Sequence, residues 1–255
     1  MKIRIFLIGL VWFCIETGAF AQLPVSYDSL SDNVLYRKEW CGGLIFHSGG
    51  WGVEFRWGGN KTAFDKRLFE VDVIGMKSNK EVKTISYYSN DRTYFYGKLN
   101  SLYIVRGGFS VHHLLNRKPY WGGVELRYFY SGGVSLGISK PIYLYIVDSI
   151  YDYGNGDYQI FTSTKRYDPT KHDLNNIYGR ASFLNGFDKA KFFPGFYLKG
   201  GLNFDFGNYY RTIKCLEVGA ALDIYPQAIK IMAFNRPKNF FPSVYINLNF
   251  GHRYN

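Results

Sequence analysis

Cysteine and proline are scarce in this chain, which has 3 Cys and 8 Pro among 255 residues. A small disulfide-built secreted domain needs more cysteine, so that class of scaffold is excluded. Outside the N-terminus no apolar run reaches the length of a membrane-spanning helix, which excludes a bundle of such helices. Acidic residues are also few, 20 against 31 Lys and Arg, so the formal net charge is +11.

Aromatic residues, by contrast, are abundant. They make up 20% of the chain, with 23 Tyr and 22 Phe, beside 28 Gly. Disordered chains are poor in aromatic residues, so this composition predicts a folded protein. The length suits one domain with a buried core. The remaining classes are β-rich, namely a soluble sandwich and a membrane barrel.

The first 21 residues have the organisation of a secretory signal peptide. Lys2 and Arg4 form a short basic region, and Ile5–Ile15 is an unbroken apolar core. Ala19–Ala21 then supplies small residues at the two positions that signal peptidase reads. We expect export with cleavage after Ala21, followed by a periplasmic tail over residues 22–37. The folded domain is expected over residues 38–255.

From Lys38 onward, apolar and polar residues alternate with the period of a β-strand. In one segment Trp51, Val53, Phe55 and Trp57 alternate with glycine and charged residues. Seven further segments have such apolar faces: Trp40, Leu44, Phe46; Phe69, Val71, Val73; Tyr103, Val105, Phe109, Val111; Val124, Leu126, Tyr128, Tyr130; Phe196, Leu198, Leu202, Phe204, Phe206; Leu216, Val218, Ala220, Leu222, Ile224; and Val244, Ile246, Leu248, Phe250.

The composition of the two faces favours a membrane barrel over a soluble sandwich. The polar face is rich in full charges, whereas the apolar face lacks charge through the middle of each strand. Lipid outside and a polar lumen inside require this pattern. Trp40, Trp57 and Trp121 lie at strand ends that would share one membrane edge, as an aromatic girdle requires. All prolines are expected outside the strand cores, because proline cannot donate to the ladder.

The number of strands follows from the alternation of short and long connections. Bacterial barrels have an even number of strands, short periplasmic turns and longer outer loops. Long outer loops are expected at about 78–94, 139–194 and 226–242, provided that Trp121–Ile138 is one strand. Splitting that strand at Gly132 and Gly133 would leave nine strands. The sequence therefore predicts an all-β fold, an eight-stranded antiparallel up-and-down transmembrane β-barrel, with ten strands as the fallback.

Charged residues on the polar faces are expected to meet inside the barrel. In a low-dielectric interior such charges must be paired and hydrogen-bonded. An eight-stranded lumen is filled by its own side chains, so we expect a structural polar network rather than a general diffusion pore. No catalytic, metal-binding or cofactor-binding residue is expected. The predicted network consists of Glu54, Arg56, Glu70, Asp72, Arg106, Glu125, Arg127, Lys199, Asp205, Glu217 and Asp223.

The excess positive charge is expected on loops and the tail. Contact with lipopolysaccharide phosphates or an acidic partner would use it, and ordinary solvated loops are the alternative. Nucleic acid is a poor partner for an exported barrel. The basic residues expected on the periplasmic side are Lys61, Lys66, Arg67, Arg117 and Lys118. Those expected outside are Lys77, Lys80, Lys83, Lys165, Arg166, Lys171, Lys189, Lys191, Arg236 and Lys238.

Two apolar runs lie in the expected outer loops, Pro141–Val147 and Ala228–Phe234. Apolar runs exposed to water are uncommon, so each should extend the barrel wall or contact another protein. We interpret them as a sign of protein partners in a larger envelope complex.

Catalytic signals are weak. His47 and Ser48 lie at the outer end of the first strand, but no acid is placed beside them by spacing. His112 and His113 are adjacent on a strand, so their rings point to opposite faces and cannot chelate one metal together. The chain is therefore expected not to be an enzyme. A rim-located lipid- or lipopolysaccharide-modifying enzyme and a narrow channel are the alternatives.

Several short motifs spread over nearly the whole mature chain carry a family resemblance. They are His47–Gly52, Gly97–Asn100, Gly122–Glu125, Ser131–Gly133 with Lys140–Pro141, Asp223–Pro226 and Asn249–Tyr254. On these motifs the chain resembles a family of small outer-membrane barrels from Bacteroidota, a Gram-negative group. The resemblance implies an accessory subunit of an outer-membrane protein assembly or secretion machine.

Overall fold

The structure is a computed structural model that describes residues 38–88, 92–118, 123–152, 154, 158–207 and 211–254. The expected signal peptide, residues 1–21, and the expected tail, residues 22–37, lie outside the described residues. Trp121, one of the three expected girdle tryptophans, also lies outside them. Among the described residues no helix has the length and apolarity needed to cross a membrane.

Strands dominate the described part of the chain. A single short 3-10 helix, Phe187–Lys189, is described beside them. The strands are β1 (Lys38–His47), β2 (Gly50–Asn60), β3 (Asp65–Met76), β4 (Lys83–Ile85), β5 (Thr93–Phe95), β6 (Asn100–Asn116), β7 (Glu125–Pro141), β8 (Tyr143–Asp152), β9 (Tyr158–Arg166), β10 (Ile177–Arg180), β11 (Lys191–Asp205), β12 (Thr212–Ile229) and β13 (Lys238–Tyr254).

Eight of these strands close into a barrel in the order β1-β13-β12-β11-β7-β6-β3-β2. All neighbours are antiparallel, and the first strand pairs with the last, with Lys38 opposite Tyr254. Closure leaves the sheet without a free edge. β7 passes through Gly132 and Gly133 unbroken, paired with β6 on one side and β11 on the other. The predicted eight-stranded antiparallel barrel is confirmed.

The two ends of the barrel differ in their connections. The short-turn end is the end at which β2 is joined to β3, β6 to β7 and β11 to β12. The loop end is the end at which β1 is joined to β2, β3 to β6, β7 to β11 and β12 to β13. The barrel strands extend further towards the loop end than the sequence pattern indicated, since β12 reaches Ile229 and β13 begins at Lys238. Four prolines that were expected outside the strand cores lie within barrel strands near the loop end: Pro141 in β7, Pro194 in β11, Pro226 in β12 and Pro242 in β13.

The outer wall of the barrel is apolar and exposed. Trp51 is 61% exposed, Phe109 70% and Val244 63%. On the described barrel strands, charged outward residues are confined to the ends of the wall: Lys38, Asp65, Arg67 and Lys214 at one end, Lys140 and Lys238 at the other. The predicted apolar faces are therefore confirmed. This polarity is the reverse of a soluble protein and matches a wall in contact with lipid.

Aromatic side chains form a row on the outer wall near the short-turn end. Trp40 lies directly opposite Trp57 in the β1–β2 ladder. The ring of Trp57 is 4.7 Å from that of Phe69, which is 5.4 Å from that of Phe109. Aromatic rings at this level suit the interface between lipid and water.

The exposed apolar wall can be tested by a substitution whose effect differs between a surface that faces lipid and a surface that faces water. Leu198, at the middle of β11, is 59% exposed. Replacing it with Arg should lower the free energy of unfolding in lipid vesicles by about 2–4 kcal/mol, because the charge would enter hydrocarbon.

The matched control is Leu174→Arg, at a 47% exposed site in the long connection before β10. It should leave the urea midpoint unchanged. Equal stability of both variants and the parent would contradict a lipid-facing wall.

Candidate functional site

The interior of the barrel contains most of the charged residues that strand periodicity predicts there. Of the eleven predicted network residues, ten are buried: Glu54, Arg56, Glu70, Asp72, Arg106, Arg127, Lys199, Asp205, Glu217 and Asp223. Glu125, at the start of β7, is half-buried and accepts a hydrogen bond from Arg127 at 2.5 Å.

Lys199 is the central cation of the network. Its Nζ lies 2.6 Å from Glu54 Oε1, 3.2 Å from Asp72 Oδ2 and 3.4 Å from Glu70 Oε2. Lys199 projects from β11, whereas the three carboxylates project from β2 and β3 on the opposite wall. One ammonium group therefore holds two walls together.

Two arginines make further bonds across the barrel. Arg106 on β6 donates to Asp223 on β12 through Nε at 2.9 Å and Nη2 at 2.6 Å. Arg56 on β2 donates from Nη1 to Glu217 Oε2 on β12 at 2.7 Å. Arg56 Nη2 is also 3.0 Å from Glu54 Oε2. Charge-assisted and bidentate contacts of this kind are the strong class of hydrogen bond.

Neutral polar side chains complete the network. Tyr197 donates to Glu70 at 2.9 Å, and Tyr245 donates to Glu217 at 2.9 Å. Asn203 donates to Glu217 at 3.2 Å, and Asn247 donates to Glu54. The predicted network did not include these residues, because it was limited to charged side chains. Their inward positions follow from the same strand periodicity.

A second polar layer lies near the short-turn end. Glu39 accepts hydrogen bonds from Lys66 at 2.9 Å and from Arg253 at 3.2 Å. Arg253 also donates to Asp205. Lys66, expected on a loop at the periplasmic side, lies at the short-turn end but inside the barrel, because β3 begins at Asp65 and turns Lys66 inward.

An apolar layer occupies the interior at the loop end. Ile45, Ile74, Leu102 and Ile104 are almost fully buried there, together with Tyr225. The prediction treated the whole lumen as polar, although Ile45, Ile74 and Ile104 lie on the inward positions of their strands. This layer places hydrocarbon between the ionic network and the loop end.

Glycines on inward positions make room for the large polar side chains. A Cβ on Gly108 would lie 2.5 Å from the Tyr197 hydroxyl and 2.4 Å from the carbonyl oxygen of Gly132. A Cβ on Gly43 would lie 2.0 Å from Asn249 Oδ1. These strand glycines therefore allow close approach inside the barrel.

Little empty space remains around the second polar layer, near the short-turn end. The cavity lined by Glu39, Arg56, His112 and Arg253 has a volume of about 20 Å³. That volume holds roughly one water molecule. Around this layer the described lumen is thus filled by its own side chains.

The other candidate residues have local structural contacts. His47 Nδ1 accepts a hydrogen bond from the Gly49 amide at 3.1 Å and so holds the β1–β2 turn. His112 is buried beside Ser110 at 2.9 Å, whereas His113 faces outward against Asp65. Within the described ranges no group of three His, Cys, Asp or Glu side chains suits a metal ion. Cys41 and Cys215 are buried free thiols.

A small folded cap covers the loop end; it consists of the β4–β5 hairpin and the β10-β8-β9 sheet. Leu144 and Ile146 of β8 are buried in it with Tyr94, Tyr167 and Ile177. Pro141 therefore ends the wall as the last residue of β7, whereas the rest of the run, residues 142–147, belongs to the cap rather than extending the wall.

The second apolar run is also largely internal. Ile229 is buried in the lumen layer, Ile231 packs against that layer, and Met232 is buried in a bridge to Lys98. Phe234 remains exposed and stacks on Tyr96 at 6.2 Å. These two runs thus give little support to an external protein contact.

Removing the central cation should destabilise the barrel. Lys199→Met keeps the length of the side chain but leaves three buried carboxylates without their shared partner. We expect a loss of about 3–5 kcal/mol in the free energy of unfolding, the usual cost of breaking a buried ion pair. Urea titration in lipid vesicles, read by the electrophoretic shift of the folded barrel, measures it.

Lys165→Met is the matched control, since it breaks the exposed 2.7 Å pair with Asp148 on the cap. It should leave the midpoint unchanged. A Lys199→Met barrel as stable as the parent would contradict a stabilising network.

Comparison with known proteins gives similarity at the level of the barrel. No protein-family model matches the sequence, and no curated protein matches it. Among solved structures, Ail, the attachment invasion locus protein of Yersinia pestis, aligns at a TM-score of 0.40 and 6% identity, covering 86% of this chain and 98% of Ail. Ail in complex with the heparin analogue sucrose octasulfate aligns at 0.42 and 6%, with the same coverage. Neisserial surface protein A aligns at 0.37 and 8%, covering 85% and 96%. At these scores the alignments carry no argument about function, and the eight-stranded closed barrel is established by its own strand pairing.

Proposed function

We propose that this chain is an integral outer-membrane protein whose barrel is a closed anchor and whose cap contacts partner proteins in an envelope complex. The exposed apolar wall supports the membrane location. The filled lumen supports the rest of the proposal. A barrel without an open path does not work as a channel, so its cap is the surface left for contact with other proteins. An accessory role in outer-membrane protein assembly or secretion rests on the resemblance to the Bacteroidota barrels. We assign no catalytic role to the barrel.

The cap presents exposed apolar and aromatic side chains beyond its own core. Tyr87 is 83% exposed, Val82 67% and Tyr151 62%. Tyrosine supplies contact area at a low cost in side-chain entropy and is common where proteins bind one another. These residues are therefore the proposed contact points.

Site-specific photo-crosslinking tests the subunit role. A photoreactive phenylalanine analogue at Tyr87, in cells that assemble the native membrane, should give one protein adduct of discrete mass. The same analogue at the lipid-facing Phe250, which is 59% exposed, is the control and should give none. A protein that yields no adduct at Tyr87, and that purifies in mild detergent as a monomer with lipid alone, would contradict the subunit role.

The filled lumen also predicts an electrical result. Reconstituted in a planar bilayer, the purified barrel should give no discrete current steps, because ionic and apolar layers occupy its interior. Stable unitary steps would instead favour the narrow channel. An engineered open barrel of known conductance, inserted in the same bilayer, controls for detection.

A further inference from the structure

A cavity of about 860 Å³ lies outside the lumen. It is bounded by the outer wall of the barrel near the loop end and by the β4–β5 hairpin. Its floor includes Trp51, Val53, Val73 and Tyr103, all outward residues of the wall. Its rim carries four cations: Lys77, Lys83, Lys98 and Arg180. No residue of the lumen network lines this space, whereas Tyr94 and Leu144 of the cap core form part of its wall.

The floor is continuous with the surface that faces lipid. Val53 lies opposite Val73 in the β2–β3 ladder, and Gly75 lies between Trp51 and Tyr103 in the neighbouring pairs. Because Gly75 has no side chain, the wall is shallow at this point. A hydrocarbon chain lying on the wall can therefore enter the cavity without crossing water.

The rim has an excess of positive charge. Within the described residues, Lys98 is paired with Glu81 at 2.8 Å, whereas Lys77, Lys83 and Arg180 form no ion pair. Burial lowers the pKa of Lys98, and the charges of Arg180 and Lys77 act in the same direction against Glu81. A bound anion would relieve this crowding of like charges.

An apolar floor open to lipid and a cationic rim on the loop side together match one kind of ligand. We infer that the cavity binds a phosphorylated glycolipid of the outer leaflet, with its phosphate on Lys83 and Arg180 and an acyl chain on Trp51 and Val73. Arginine and lysine are the residues that recognise phosphate oxygens. A soluble phosphate would leave the apolar floor uncovered. The inference rests on the proposed outer-membrane location and adds a ligand to it.

The test measures binding of diphosphoryl lipid A by native mass spectrometry of the full barrel in a neutral detergent. The double variant Lys83→Gln/Arg180→Gln should weaken binding by at least about tenfold, since it removes two charge-assisted contacts to phosphate. The matched control, Arg166→Gln/Lys171→Gln, removes the same two charge types from exposed positions of the cap outside the cavity and should bind as the parent does.

A second pair of variants tests the floor. Trp51→Ala should weaken binding of lipid A several-fold, because it removes apolar contact area. Trp57→Ala changes an outward tryptophan of the same strand outside the cavity and should leave binding unchanged.

Three results would overturn the inference: equal weakening by both charge pairs, equal binding of dephosphorylated lipid A, or displacement of lipid A by inorganic phosphate at the same concentration. Membrane insertion is read separately, from the heat-dependent electrophoretic shift of barrel recovered from the outer membrane. If the barrel is absent from that membrane, the proposed function is wrong. If the barrel is inserted but does not bind lipid A, only this inference is wrong.

Discussion

The cost of burying charge governs this barrel. Lys199, Arg106 and Arg56 lie in a narrow interior where an unpaired ion costs several kcal/mol. Each avoids that cost by contacting carboxylates that project from another part of the wall, and Lys199 contacts three of them. The wall therefore cannot deform or open without separating these ions, so the same contacts that satisfy the charges also fix the shape of the barrel.

The other features of the molecule follow from this filled interior. Inward glycines such as Gly108 give Tyr197 the space to reach Glu70, and an apolar layer around Ile74 and Ile104 separates the ions from the loop end. With its lumen occupied, the barrel has its outer wall and its cap as surfaces for contact with other molecules. Both proposed activities, protein contact by the cap and lipid binding beside it, are located on those outer surfaces.

Strand periodicity was enough to predict most of the barrel, but it did not predict which side chains contact one another inside it. The alternation in β2 was enough to predict that Glu54 and Arg56 face inward beside an apolar outer wall. It could not pair Glu54 with Lys199, because these residues are 145 positions apart and lie on strands that are not neighbours. Lys66 was misplaced because its strand begins three residues before the first clear apolar alternation. The run Pro141–Val147 was misread because the chain leaves the barrel sheet at Ile142, a change that periodicity does not reveal.

A double-mutant cycle across the lumen tests the central claim most directly. Arg106→Met, Asp223→Asn and the double variant would be unfolded with urea in lipid vesicles, and the coupling free energy taken from the four stabilities. If the ion pair binds opposite walls together, the cycle should give a coupling of about 0.5–3 kcal/mol, because the two side chains contact each other directly. Additive effects of the two substitutions would show that the pair does not hold the walls together.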